Sequence, residues 1–233
     1  MKRIPNVSWK VEVLWVKAQV TARLLEGDPR VADLAPVLTG GAEGLAKAAD
    51  EAKVARAKER EACALMKVAE EALAQEVKRA ELAAWVASNE DRDAPAYQQA
   101  FPHGRTGLLV GKRAARLAHI QASADAMGRI AGLEEHGKAI GEALKAVQDA
   151  LDQWNVAKGR ARQAAKDRKD ARVALVQDYR VVRATILGRL RVTREVNAFF
   201  PDLAPGAGGG KAEAAGGEEA PPTPVKVPTP VAA

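Results

Sequence analysis

The chain has 233 residues and a formal net charge of +6, with 47% apolar, 28% charged and only 4% aromatic residues. So much alanine and so little aromatic bulk favour close helix packing over a thick globular core. One cysteine, Cys63, excludes an internal disulfide and a thiolate metal cluster. No apolar run approaches the roughly 18 residues of a membrane-spanning helix, so integral membrane insertion is not expected. Lys10, Glu12 and Lys17 interrupt any signal-peptide stretch, and a cytoplasmic location is expected.

Residues 7–26 carry two patterns. Val7, Trp9, Val11, Val13 and Trp15 alternate with polar residues as in a strand, while Val11, Leu14, Ala18 and Leu25 form a helical stripe. Ser8 suits an N-cap and Gly27 a stop. The rest of the chain offers no second strand, so the segment reads as a helix; as a strand it would need a partner from another molecule. Trp15, Trp85 and Trp154 lie near helical stripes, where a core anchor is the usual role. Trp9, close to the chain start, is the exception, with partial exposure expected, and Trp9 with Trp15 makes a candidate partner surface. With Lys10 the same pair would also suit a membrane interface.

Asp28-Pro29 opens a short turn, and Pro36 with Gly40-Gly41 separates it from a first long helix over 42–89. Its stripe runs Leu45, Ala52, Ala55, Ala62, Met66, Ala69, Leu73, Val77, Ala80 and Ala84, in steps of three and four. Residues 90–107 read as a polar connector, and 108–130 as a shorter helix. A second long helix is expected over 138–199, with Gly159 and Gly188 as weak points. Residues 204–233, rich in Pro, Gly and Ala, lack the apolar content to offset chain entropy and read as a disordered tail.

The chain repeats itself. Ala22-Arg23-Leu24 precedes one long helix and Ala115-Arg116-Leu117 the other; the first ends at Phe101-Pro102 and the second at Phe200-Pro201. Laid on 156–175, residues 54–73 match at Val54/Val156, Ala55/Ala157, Arg60/Arg162 and Lys67/Lys169, among others. The expected fold is therefore all-α: an elongated helical bundle or coiled coil of two duplicated short–long hairpins, 1–107 and 108–203, forming one continuous bundle.

Charge is unevenly placed. Residues 158–194 hold twelve basic residues against Asp167, Asp170 and Asp178. Nine of the twelve fall within a helical sector about 120° wide: Lys158, Arg162, Lys166, Lys169, Arg172, Arg180, Arg183, Arg191 and Arg194. Ala161, Ala164, Ala171, Leu175, Tyr179, Val182 and Ile186 mark a separate core face. The ridge has three readings. It is a solvated face, it pairs with Glu59, Glu70 and Glu81 of the first long helix, or it binds polyanions. No aromatic interleaves it and no recognition motif accompanies it, so nucleic-acid binding would be non-specific.

Chemistry is sparse. His103, His119 and His136 are scattered, no Glu-x-x-His pair exists, and the glycine-rich stretches lack the Lys-Ser/Thr of a phosphate loop. Neither metal nor other cofactor is expected. The sequence points to a non-enzymatic structural or adaptor protein with protein partners or self-association, with non-specific nucleic-acid binding through 158–194 as the alternative.

Overall fold

This computed structural model describes residues 5–102 and 104–201, and every regular element among them is helical. The expected disordered tail, 204–233, lies outside the described residues. α1 spans Val11–Glu26, with Glu12 in its first turn and Arg23 in its last, as the helix dipole favours. It begins later than expected. Asn6, not Ser8, organises the entry: its side chain accepts from the Ser8 amide at 3.2 Å and its carbonyl from Trp9 at 3.0 Å. Lys10 then stands at the N-cap. The alternating apolar pattern of residues 7–15 therefore does not form a strand.

A turn at Asp28, whose carboxylate accepts from the Arg30 amide at 3.0 Å, leads through a 3-10 turn (Ala32–Leu34) into α2, Ala35–Ala87. Gly40-Gly41, expected outside this helix, lies inside it. Packing overrides propensity there. A Cβ on Gly41 would stand 2.9 Å from Leu175 Cδ1 and 3.0 Å from Asp178 Oδ2, so the bare glycine lets another helix approach closely.

The expected connector also folds. α3 (Pro95–Ala100) uses Pro95 as its opening residue, where the missing amide hydrogen is not needed, and α4 (Gly104–Leu109) follows. α5 covers Arg113–Met127 and α6 Glu134–Leu190, about 85 Å of continuous helix. Neither Gly159 nor Gly188 breaks it. The break comes at Arg191, in the left-handed region at φ 55°, after which α7 runs Thr193–Ala198.

α2 and α6 run antiparallel, since the start of α2 at Gly41 abuts the far end of α6 at Leu175. Each end of this pair closes a separate core. At one end Leu14, Ala18 and Leu25 of α1 pack with Leu38, Ala42 and Leu45 of α2, Leu175, Tyr179, Val182 and Ile186 of α6, and Phe200. At the other, Leu73, Val77 and Ala80 meet Tyr97, Phe101, Leu108, Ile120, Met127, Ile140, Leu144 and Val147. Between them lies a two-helix neck. Among the described residues 46–72 and 148–174, only Ala52, Met66 and Ala161 are buried. The neck is thin because alanine lets two backbones approach without building a core around them.

Candidate functional surface

The basic ridge follows α6 from the neck to its C-terminal end; the helix stops at Leu190, so the helical projection that groups Arg191 and Arg194 with the other seven does not hold beyond it. Arg162, Lys166, Lys169, Arg180, Arg191 and Arg194 are exposed; Lys158, Arg172 and Arg183 are half-buried. Lys158 Nζ sits 4.6 Å from the Trp154 ring centroid, and Arg113 of α5 approaches the same ring at 5.9 Å. Arg172 donates to the Val7 carbonyl at 3.2 Å, and Arg183 to Asn197 Oδ1 at 3.4 Å. Arg189 lies outside the nine. It is held by Asp33 at 2.5 and 2.7 Å, and its guanidinium keeps that carboxyl below the usual carboxylate range.

Two of the three glutamates that one reading pairs with the ridge serve elsewhere. Glu70 accepts from Arg113 and Arg116, both at 2.8 Å, fastening α5 to α2. Glu81 meets Arg105 at 3.2 Å and Arg92 at 3.8 Å, and accepts from the Tyr97 hydroxyl at 3.1 Å. Both reach α3–α5 rather than α6, because those elements cover the end of α2 that carries them. Among the described residues, none of the nine ridge cations forms an ion pair with a carboxylate.

The fold adds a second basic row that the ridge on α6 alone does not reveal. Lys67 of α2 lines a cleft with Glu70, Glu71, Arg116 and Ile120, which puts it on the side that α5 occupies. Arg60, Arg56 and Lys53 lie seven, eleven and fourteen residues earlier in the sequence. At about 100° per residue they share the Lys67 direction to within roughly 40°. All four are exposed and, among the described residues, free of ion pairs. α5 meets α6 through Gln148, Leu151, Trp154 and Asn155, and Lys158 continues that side. Counting at equal rise from the Gly41–Leu175 contact brings Arg56 and Arg60 level with residues 160 and 156, within a turn of Lys158 and Arg162. The signal is present in the sequence: Arg60/Arg162 and Lys67/Lys169 are matched positions of the internal similarity.

The opposite side of the neck differs. An open groove of about 980 Å³ is floored by Val54, Ala55, Val156 and Ala157 and rimmed by Lys47, Asp50, Glu51, Lys58, Asp152 and Arg160. Val54 and Val156 are each 54% exposed. Both tryptophans of the candidate partner surface keep some exposure. Trp9 packs against the first core with Lys17 Nζ 4.9 Å from its ring, whereas Trp15, expected as an anchor, is 41% exposed. Helical geometry turns Leu14 and Lys17 inward and Trp15 outward.

Among the described residues no group of three or more His, Cys, Asp or Glu is placed to hold a metal ion. No helix among them is long and apolar enough to cross a membrane. No protein-family model matches the chain, and no curated protein or solved structure matches it significantly.

Proposed function

We propose that this chain is a non-enzymatic helical scaffold whose working surface is the cationic side of its neck, which binds polyanions without sequence preference. One observation carries the reading: the ridge cations lack internal carboxylate partners because Glu70 and Glu81 hold α3–α5 in place. Unopposed charge of one sign on a long rigid helix raises the local concentration of phosphate groups and releases their counterions on contact. The measurement is fluorescence anisotropy of the full chain with a labelled DNA duplex across a salt series. Binding that weakens steeply with salt is the expected result; no binding at about 50 mM salt, where phosphate contacts are strong, overturns it.

A second reading, an adaptor for protein partners or self-association, draws on the groove across the neck, where Val54 and Val156 stand open to solvent. A photo-reactive side chain at Val54 should then give polypeptide adducts in the native cell, and a consistent lack of them would count against an adaptor.

Either role suits a duplicated hairpin with a coiled-coil neck. The groove lining supports duplication, since it contains Asp50/Asp152, Val54/Val156, Ala55/Ala157 and Lys58/Arg160 in one common register. So does the aromatic closure of each core, Tyr97 on Phe101 at 5.7 Å and Tyr179 on Phe200 at 5.3 Å.

A further inference from the structure

Two rows of cations face the same way across the neck. α2 contributes Lys53, Arg56, Arg60 and Lys67, and α6 contributes Lys158, Arg162, Lys166 and Lys169. Helices in contact lie about 8–10 Å apart, so the rows are separated by roughly that distance where they overlap, around Lys53, Arg56 and Arg60 on α2 and Lys158 and Arg162 on α6. A duplex nucleic acid presents two phosphate rows flanking its grooves, the major groove being about 12 Å wide. A single strand presents one row and leaves the second unmatched. Single-strand binders also stack bases on aromatic rings, and none of the eight positions, nor the residues between them on this side, supplies an exposed ring.

The platform is bounded. α5 sits over one end, where Arg113 approaches Trp154, and residue 7 crosses the other, where its carbonyl accepts from Arg172. From Trp154 to Arg172 the α6 backbone spans about 27 Å. A floor of that length with raised ends admits a rod of charge that lies across the neck and disfavours a flat bilayer, and no large apolar side chain rises from these rows to enter one.

We propose that this two-row saddle grips duplex nucleic acid, with α2 supplying half of the phosphate contacts and the ridge beyond Arg172 supplying none. The proposal rests on the polyanion reading but differs from it in residues and in partner shape. The full chain is titrated against a duplex of about 20 base pairs, the matching single strand and phosphatidylglycerol vesicles. The R56E/R60E variant should weaken duplex binding at least tenfold and, because two phosphates go unneutralised, lower the salt slope by about 1.8. R56Q/R60Q should show the same change of slope, which guards against a folding defect, and melting curves check that both variants keep the wild-type fold. R191E/R194E should bind within twofold of wild type. Loss of binding in R162E/K166E with wild-type behaviour in R56E/R60E would leave the ridge as a polyanion site and overturn the saddle. Single strand or vesicles bound as tightly as the duplex would overturn it equally.

Discussion

The Thr21–Tyr179 pair shows how a few polar atoms are accommodated in an aliphatic core. The two hydroxyls meet at 2.5 Å in the buried end of the molecule, and Tyr179 also stacks edge-on against Phe200. Burial pushes the Tyr179 hydroxyl up to about 12 from an ordinary value near 10, with the Thr21 hydrogen bond opposing only part of that shift. In the unfolded chain this group loses its proton near pH 10, while the fold keeps it protonated. Its contribution is therefore complete below pH 10 and is lost as pH rises towards 12, a swing on the order of 2–3 kcal/mol. Denaturant titrations at pH 9 and pH 11 should show about half of that fall in the wild type, and the fall should be smaller in Tyr179→Phe. An equal fall in both would mean the hydroxyl is not the titrating group. Nothing in the sequence discloses this partnership: spacing alone puts Tyr179 on the core face, but Thr21 lies 158 residues away and no local pattern links them.

At the scale of elements, close approach of backbones decides where glycine is tolerated in a helix. A Cβ on Gly137, in the first turns of α6, would lie 2.7 Å from the Ala124 carbonyl oxygen and 2.9 Å from the Gly128 nitrogen of the α5 end. Backbone atoms cannot swing aside as a side-chain tip can. Gly137→Ala should therefore destabilise the protein by about 1–3 kcal/mol, against a propensity gain of about 1 kcal/mol. Gly141→Ala, one turn on and facing open space, should stabilise it by about 0.4–1 kcal/mol. Thermal melts of the two variants shifting in the same direction would refute the contrast. The same physics explains what the sequence conceals. Apolar periodicity locates both long helices and their core stripes, with Leu45, Met66, Leu73, Val77, Leu175 and Ile186 buried as expected. Their ends are harder to place because Gly40, Gly41 and Gly188 look like stops. The actual ends use left-handed residues other than glycine: Asn89 and Glu90 after α2, Arg191 after α6. The basic row on α2 is hidden for a related reason. Arg56, Arg60 and Lys67 are interspersed with Glu59, Glu61 and Glu70, and only the packing of α5 shows that Glu70, on the same side as Lys67, is taken up by Arg113 and Arg116.

For the whole molecule, the two cores differ in how much chain must be present before they can close. The core at the α5 end draws its buried residues from Leu73 to Val147, a single stretch of sequence. The core at the α1 end joins Leu14–Leu45 to Leu175–Phe200 and leaves out everything between. During synthesis the first can assemble while the chain is still growing, whereas α1, although it can lie against the start of α2, must wait for its α6 partners until almost the last described residue has emerged. Refolding should keep that order, with amides of Val77 and Ile140 protected from exchange before those of Leu14 and Leu38 in pulse-labelling experiments. Simultaneous protection would mean that the neck zips both ends together. The antiparallel neck thus sets a timetable: one end is built from neighbours, and the other stays open until α1 meets the far end of α6.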